Sequence, residues 1–188
     1  MNESQEGKAP EEEKSAAQLD YEEGVKFLEK NEISQAAIAF HNALLGFEQE
    51  GNDKGIANAS DKLAELCLVK EDFDKALIHV NRALDICRQG GDNLSLTYLK
   101  KKLVKALWGM GQHQEALAAC FDLLDAYHDY NNPDGVVKTL EQIAAIYLEI
   151  GEPAKAADSY RTAASIHKNF GHSRQAQAFL DKAAALEG

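Results

Sequence analysis

The stretch IAAIYLEIGEPAKAADSYRTA, Ile143–Ala163, decides the fold. Ile143, Ala144 and Tyr147 fall on one face of a helix. Gly151 interrupts that helix. Ala156, Tyr160 and Ala163 then stand at i, i+4 and i+7, one apolar face of a second helix. The same design recurs at a fixed interval of forty residues. Ala36, Ala76, Ala116 and Ala156 are forty apart, with Phe40, Val80, Cys120 and Tyr160 four residues on. Ala43, Ala83, Leu123 and Ala163 follow three residues later. Upstream, Leu63, Leu103 and Ile143 are each followed by a short residue and then by Cys67, Leu107 and Tyr147.

Between the paired helices stand Asn31, Glu71, Gly111 and Gly151; between successive pairs stand Gly51, Gly91, Asn131 and Gly171. Gly and Asn suit the left-handed residue that ends a helix. Asn132 and Pro133 read as a helix cap and first turn. The chain is therefore expected to be all-α, with repeats at about 16–51, 52–91, 92–131 and 132–171 and a terminal helix over 173–187. No alternating β-branched run or Asn-Gly hairpin competes with this reading. A lone helix pair cannot bury its apolar face, so the pairs must stack.

Of 188 residues, 45% are hydrophobic and 27% charged, which fits a folded globular chain. The formal net charge of −11 argues against broad binding of nucleic acid, because phosphate needs a basic surface. Residues 1–15 are acidic and polar and read as a disordered tail, with no apolar segment like that of a signal peptide. No run approaches the length that spans a bilayer, so a cytoplasmic location is expected. Cys67, Cys87 and Cys120 are widely spaced and form no C-x-x-C pair, so each is expected to be a buried apolar residue. The histidine spacing places no two on one helical face, and no metal or cofactor is expected.

In constant register, these residues resemble the tetratricopeptide repeat family over about 16–188. The match is fullest at Ile143, Ala144, Tyr147, Gly151, Ala156, Tyr160 and Ala163. In the first repeat Glu23 occupies the aliphatic place, although Phe27, Ala36, Phe40 and Ala43 fit. The long period is similar to the forty-residue variety of partner-of-inscuteable-type scaffolds and kinesin light chains. The resemblance implies a right-handed α-solenoid whose first helices line a concave, peptide-binding groove, without a cofactor.

Inside the third repeat, YLKKKLVKALWGMGQ (98–112) sets Lys100, Lys101, Lys102 and Lys105 between Tyr98 and Trp108. Leu96, Leu99, Leu103, Ala106, Leu107 and Met110 share one face, the expected core. Tyr98, Lys101, Lys105 and Trp108 form a stripe on nearly the opposite side. Lys101 and Lys105 repel each other at i, i+4, which asks for an offsetting negative charge. One source is a ligand. The other is ion pairing between repeats with Asp61, Glu65 and Glu141. The resemblance places two basic residues here in members that grip a C-terminal carboxylate. Those members also use Lys and Asn where this chain has Tyr21 and Val25, and Asn where it has Glu65, so the full clamp is not expected. Leu28, Leu68, Trp108 and Leu148 recur at forty and form an apolar row. With Lys138, Tyr21 and Val25 they complete the candidate peptide-binding set.

The leading expectation is a non-enzymatic adaptor or scaffold holding a partner segment with acidic and apolar residues. The alternatives are a self-assembling structural scaffold, with the Ala-rich terminal helix docking on another copy, or a fragment of a longer repeat protein. No phosphate loop, nucleophile elbow or metal spacing supports an enzyme.

Overall fold

In a computed structural model, residues 14–187 are described, and the described residues form nine helices and no strand. They are α1 (Ala16–Glu29), α2 (Ile33–Glu50), α3 (Asp53–Val69), α4 (Phe73–Gly90), α5 (Asn93–Gly109), α6 (His113–Asp129), α7 (Pro133–Glu149), α8 (Pro153–Asn169) and α9 (Ser173–Ala184). The last helix stops three residues short of the expected Glu187. Of the acidic segment expected over 1–15, residues 1–13 lie outside the described residues. Ser15 is the N-cap of α1, its Oγ accepting the Gln18 N–H at 3.2 Å, and Lys14 pairs with Glu22 at 2.8 Å.

Every turn between helices holds one left-handed residue. These are Asn31, Gly51, Glu71, Gly91, Gly111, Asn131, Gly151 and Gly171, spaced twenty apart. Most of these conformations suit glycine or asparagine; Glu71, at φ 57°, carries a full side chain into the same region. The residue after the turn does two jobs. The Asn132 N–H closes α6 on the Tyr127 carbonyl at 2.9 Å, while its Oδ1 accepts the Gly135 N–H at 2.9 Å and caps α7. Asn52 acts alike between α2 and α3.

The chain divides into two compact units between Ala59 and Ser60, inside α3. In the first, Ala36, Phe40 and Ala43 are fully buried, as the i, i+4, i+7 pattern requires. Gly24 makes room there: a Cβ would stand 2.8 Å from the Phe40 ring. In the second unit Ala76, Val80, Ala83, Ala116, Cys120, Ala156 and Ala163 are fully buried, and small side chains let the helices approach closely. Its main core joins Val104, Leu107, Ile143, Ile146 and Phe179. Among the described residues no helix is long and apolar enough to cross a membrane.

Of the core face expected on α5, Leu99, Ala106 and Leu107 are buried, while Leu96, Leu103 and Met110 are half-buried. Thr97 and Val104 are also buried, because α4 and α6 flank α5 and widen its covered arc. The cysteine expectation needs one correction. Cys87 and Cys120 are buried, but Cys67 is only half-buried, at the edge of a small cluster of Leu68, Ala76 and Ala106.

Candidate functional site

The second unit contains a groove built from the first helices of consecutive pairs. One cavity of about 900 Å³ lies between α5 and α7, lined by Tyr98, Lys101, Trp108, Tyr127, Tyr130 and Lys138 among others. A second of about 830 Å³ lies between α3 and α5 and includes Asp61, Glu65, Leu68, Lys101, Lys105 and Trp108. Tyr98, Lys101, Trp108 and Gln142 border both. The stripe expected on α5 is thus the ridge between the two cavities.

The four lysines divide by task. Lys100 donates to the Asp122 carbonyl at 3.1 Å. The Lys102 ammonium bonds Asp61 Oδ1 at 2.7 Å and Glu65 Oε2 at 3.4 Å. Lys101 lies over the Tyr98 ring, 5.5 Å from its centroid. Among the described residues neither Lys101 nor Lys105 forms an ion pair. This corrects the pairing expected between repeats. Asp61 and Glu65 take Lys102 instead, and Glu141 takes Lys182 at 3.0 Å. Adjacent helical residues point about 100° apart, so the pairing falls to Lys102, which lines the same α3–α5 cavity as Lys101 and Lys105.

Glu65 stays ionised. Partial burial raises its pKa, but attraction to Lys102 and Lys62 outweighs this and leaves it below the usual carboxylate range. The Trp108 indole N–H donates to Glu149 Oε2 at 2.7 Å, and His113 Nε2 lies 3.1 Å from the same oxygen. Trp108 is therefore half-buried and fixed, while Tyr98 is 60% exposed.

The other expected residues are distributed as follows. Lys138 is exposed and lines the α5–α7 cavity. Leu68 is buried against Ala76 and Ala106, so most of its surface serves packing. Leu148, near the end of α7, is 40% exposed and lines neither cavity. Tyr21, Val25 and Leu28 are half-buried on α1, in the first unit. The Tyr21 ring packs edge-on to Phe40, centroids 5.4 Å apart, so it belongs to that unit's core.

Sequence reasoning missed Tyr127 and Tyr130. Both stand at the end of α6, a second helix, whereas the sequence argument searched only first helices. Their signal was a pair of tyrosines beside the Asn-Asn-Pro turn. Tyr127 leans over α7 because Gly135 is there: a Cβ would stand 2.5 Å from its ring. Burial, with a contribution from Tyr98, pushes the Tyr127 hydroxyl pKa up.

No family model matches the sequence, and no curated protein matches it either. Solved structures do share its fold. The apo form of RapI superposes with a TM-score of 0.77 at 16% identity, over 92% of this chain and 64% of that one. A Rap protein complexed with competence and sporulation factor gives 0.63 at 17% identity, covering 90% of this chain and 51% of that one. The Rap conjugation gene regulator of plasmid pLS20, in complex with the Phr* peptide, gives 0.62 at 14%, covering 90% and 53%. The chain spans between half and two thirds of these structures. The likeness is one of fold, the tetratricopeptide-like stacking of helix pairs.

Proposed function

We propose that this chain is a non-enzymatic interaction module, a cytosolic adaptor that holds a peptide segment of a partner protein in the α3–α5–α7 groove. One observation carries the reading. Two cavities share a ridge that bears an exposed tyrosine, a fixed tryptophan and two lysines without ion pairs. Tyrosine and tryptophan are characteristic interface anchors. Charge left unanswered inside the protein favours a ligand of opposite sign. A segment with acidic and apolar residues complements both. Two proteins of like fold were solved with a competence and sporulation factor and with a Phr* peptide, which supports the peptide reading by analogy of fold.

The test is an affinity capture with the full chain, repeated with Lys101→Glu/Lys105→Glu and with Trp108→Ala. Captured proteins are then mapped by overlapping synthetic peptides. A peptide that binds the wild type and is lost from both variants supports the groove. An identical captured set and unchanged peptide affinities in all three proteins would place binding elsewhere.

A further inference from the structure

The groove changes chemistry along its length. Its α3–α5 half holds Lys62, Lys101, Lys102 and Lys105 against Asp61 and Glu65. Lys102 answers both carboxylates, and Lys62 reaches Glu65 at 3.5 Å. Lys101 and Lys105 remain as positive charge in excess, and both are exposed. The α5–α7 half differs. There Lys101 and Lys138 share the lining with Asp134 and Glu141, the latter already paired with Lys182, so the positive excess is smaller. What distinguishes that half is Tyr127 and Tyr130, which add two rings to Tyr98 and Trp108, the pair that borders both halves. Tyr98 and Tyr130 are exposed, and Lys101 lies over one face of the Tyr98 ring.

Accepting the peptide-groove reading above, we infer that the groove sorts two side chains of one ligand, an aromatic ring to the α5–α7 half and a carboxylate to Lys101 and Lys105. An aromatic guest can meet these rings face-to-edge, which an aliphatic one cannot. A cationic guest would be attracted by ring faces but repelled by the lysine excess next door. Lys101 is the pivot. Lying over Tyr98, it borders both halves and fixes how close the two ligand groups must stand.

The experiment is a display selection from a random linear peptide library on three full-length proteins: the wild type, Lys101→Glu/Lys105→Glu and Tyr98→Ala/Tyr130→Ala. All four altered residues are exposed, so each variant should keep the wild-type circular dichroism and melting temperature. Wild-type binders are expected to be enriched in Phe, Tyr or Trp together with Asp or Glu. The lysine reversal should lose only the acidic preference, and the tyrosine variant only the aromatic one. Each variant should bind a selected wild-type peptide about tenfold or more weakly. If wild-type binders show another chemistry, or if one variant abolishes both preferences together, the sorting is wrong while the groove stands. If the wild type enriches no peptides above a blank surface, the groove reading falls and the sorting with it.

Discussion

Trp108 donates its indole N–H to Glu149 at 2.7 Å, so the last turn of α7 holds a ring that belongs to α5. Glu149 and His113 meet at 3.1 Å on the same carboxylate oxygen, which steadies it from a third helix. Trp108 is the only tryptophan, so its fluorescence reports this site alone. In Glu149→Ala the indole loses its partner, and its emission should shift to the red with faster quenching by acrylamide. An unshifted spectrum would mean that packing alone holds the ring. Trp108→Ala should weaken partner binding by about 2 kcal/mol or more, the scale of an interface anchor, measured by calorimetry.

Lysines three residues apart or fewer should behave oppositely. Lys102→Met leaves Asp61 without its ammonium, and the part-buried setting puts the cost near the upper end for surface pairs, about 1 kcal/mol. For a chain of this length that is a fall of about 2–4 °C in melting temperature. Lys101→Glu/Lys105→Glu should leave the melting temperature unchanged and reduce affinity for an acidic ligand, with a salt dependence weaker than that of the wild type. Measuring both quantities on both variants distinguishes the two roles.

Glu71 holds φ 57° where five equivalent turns hold glycine. A left-handed conformation costs an ordinary residue roughly 1–2 kcal/mol, and glycine gives part of that back through the greater freedom of its unfolded chain. Glu71→Gly should therefore stabilise the fold by about 0.5–1 kcal/mol. The urea midpoint should rise without a change in slope. No rise would mean that the Glu71 side chain has a compensating contact.

Cys120 is fully buried, and burial pushes its thiol from an ordinary value near 9 up to about 12. The unfolded chain therefore loses this proton first as pH rises, and stability falls between those two values. The slope for one such group is about 1.4 kcal/mol per pH unit. Cys120→Ala should flatten the decline above pH 9 (the ordinary thiol value) relative to the wild type. A thiol reagent should modify half-buried Cys67 well before Cys87 and Cys120 in the native protein.

The turns were legible in the sequence because they depend on one residue each: Asn31, Gly111 and Gly151 announce a left-handed turn by type alone. The buried alanines were legible because steric exclusion repeats with the helix. What stayed hidden depends on how one helix is rotated against the next. Lys101, Lys102 and Lys105 are chemically identical, and only the position of α3 decides that Lys102 meets Asp61. Tyr21 read as a groove residue because its register matched, but Phe40 and Phe47 on α2 draw its ring into packing. Tyr127 entered the site through the clearance over Gly135, a contact between two helices that no single-helix pattern displays.

The left-handed residues at twenty-residue intervals also cut the chain into tiles with matching edges. Any forty-residue block bounded by equivalent turns begins and ends on the same left-handed backbone conformation. A tandem duplication at such an edge would need no new junction to be invented, and a deletion would leave none broken. What a copied tile could not bring with it is the cross-tile chemistry of Lys102 and Asp61 or of Trp108 and Glu149. Lengthening such a chain is thus conformationally simple, while each added length must acquire its own selectivity by substitution on the faces that meet.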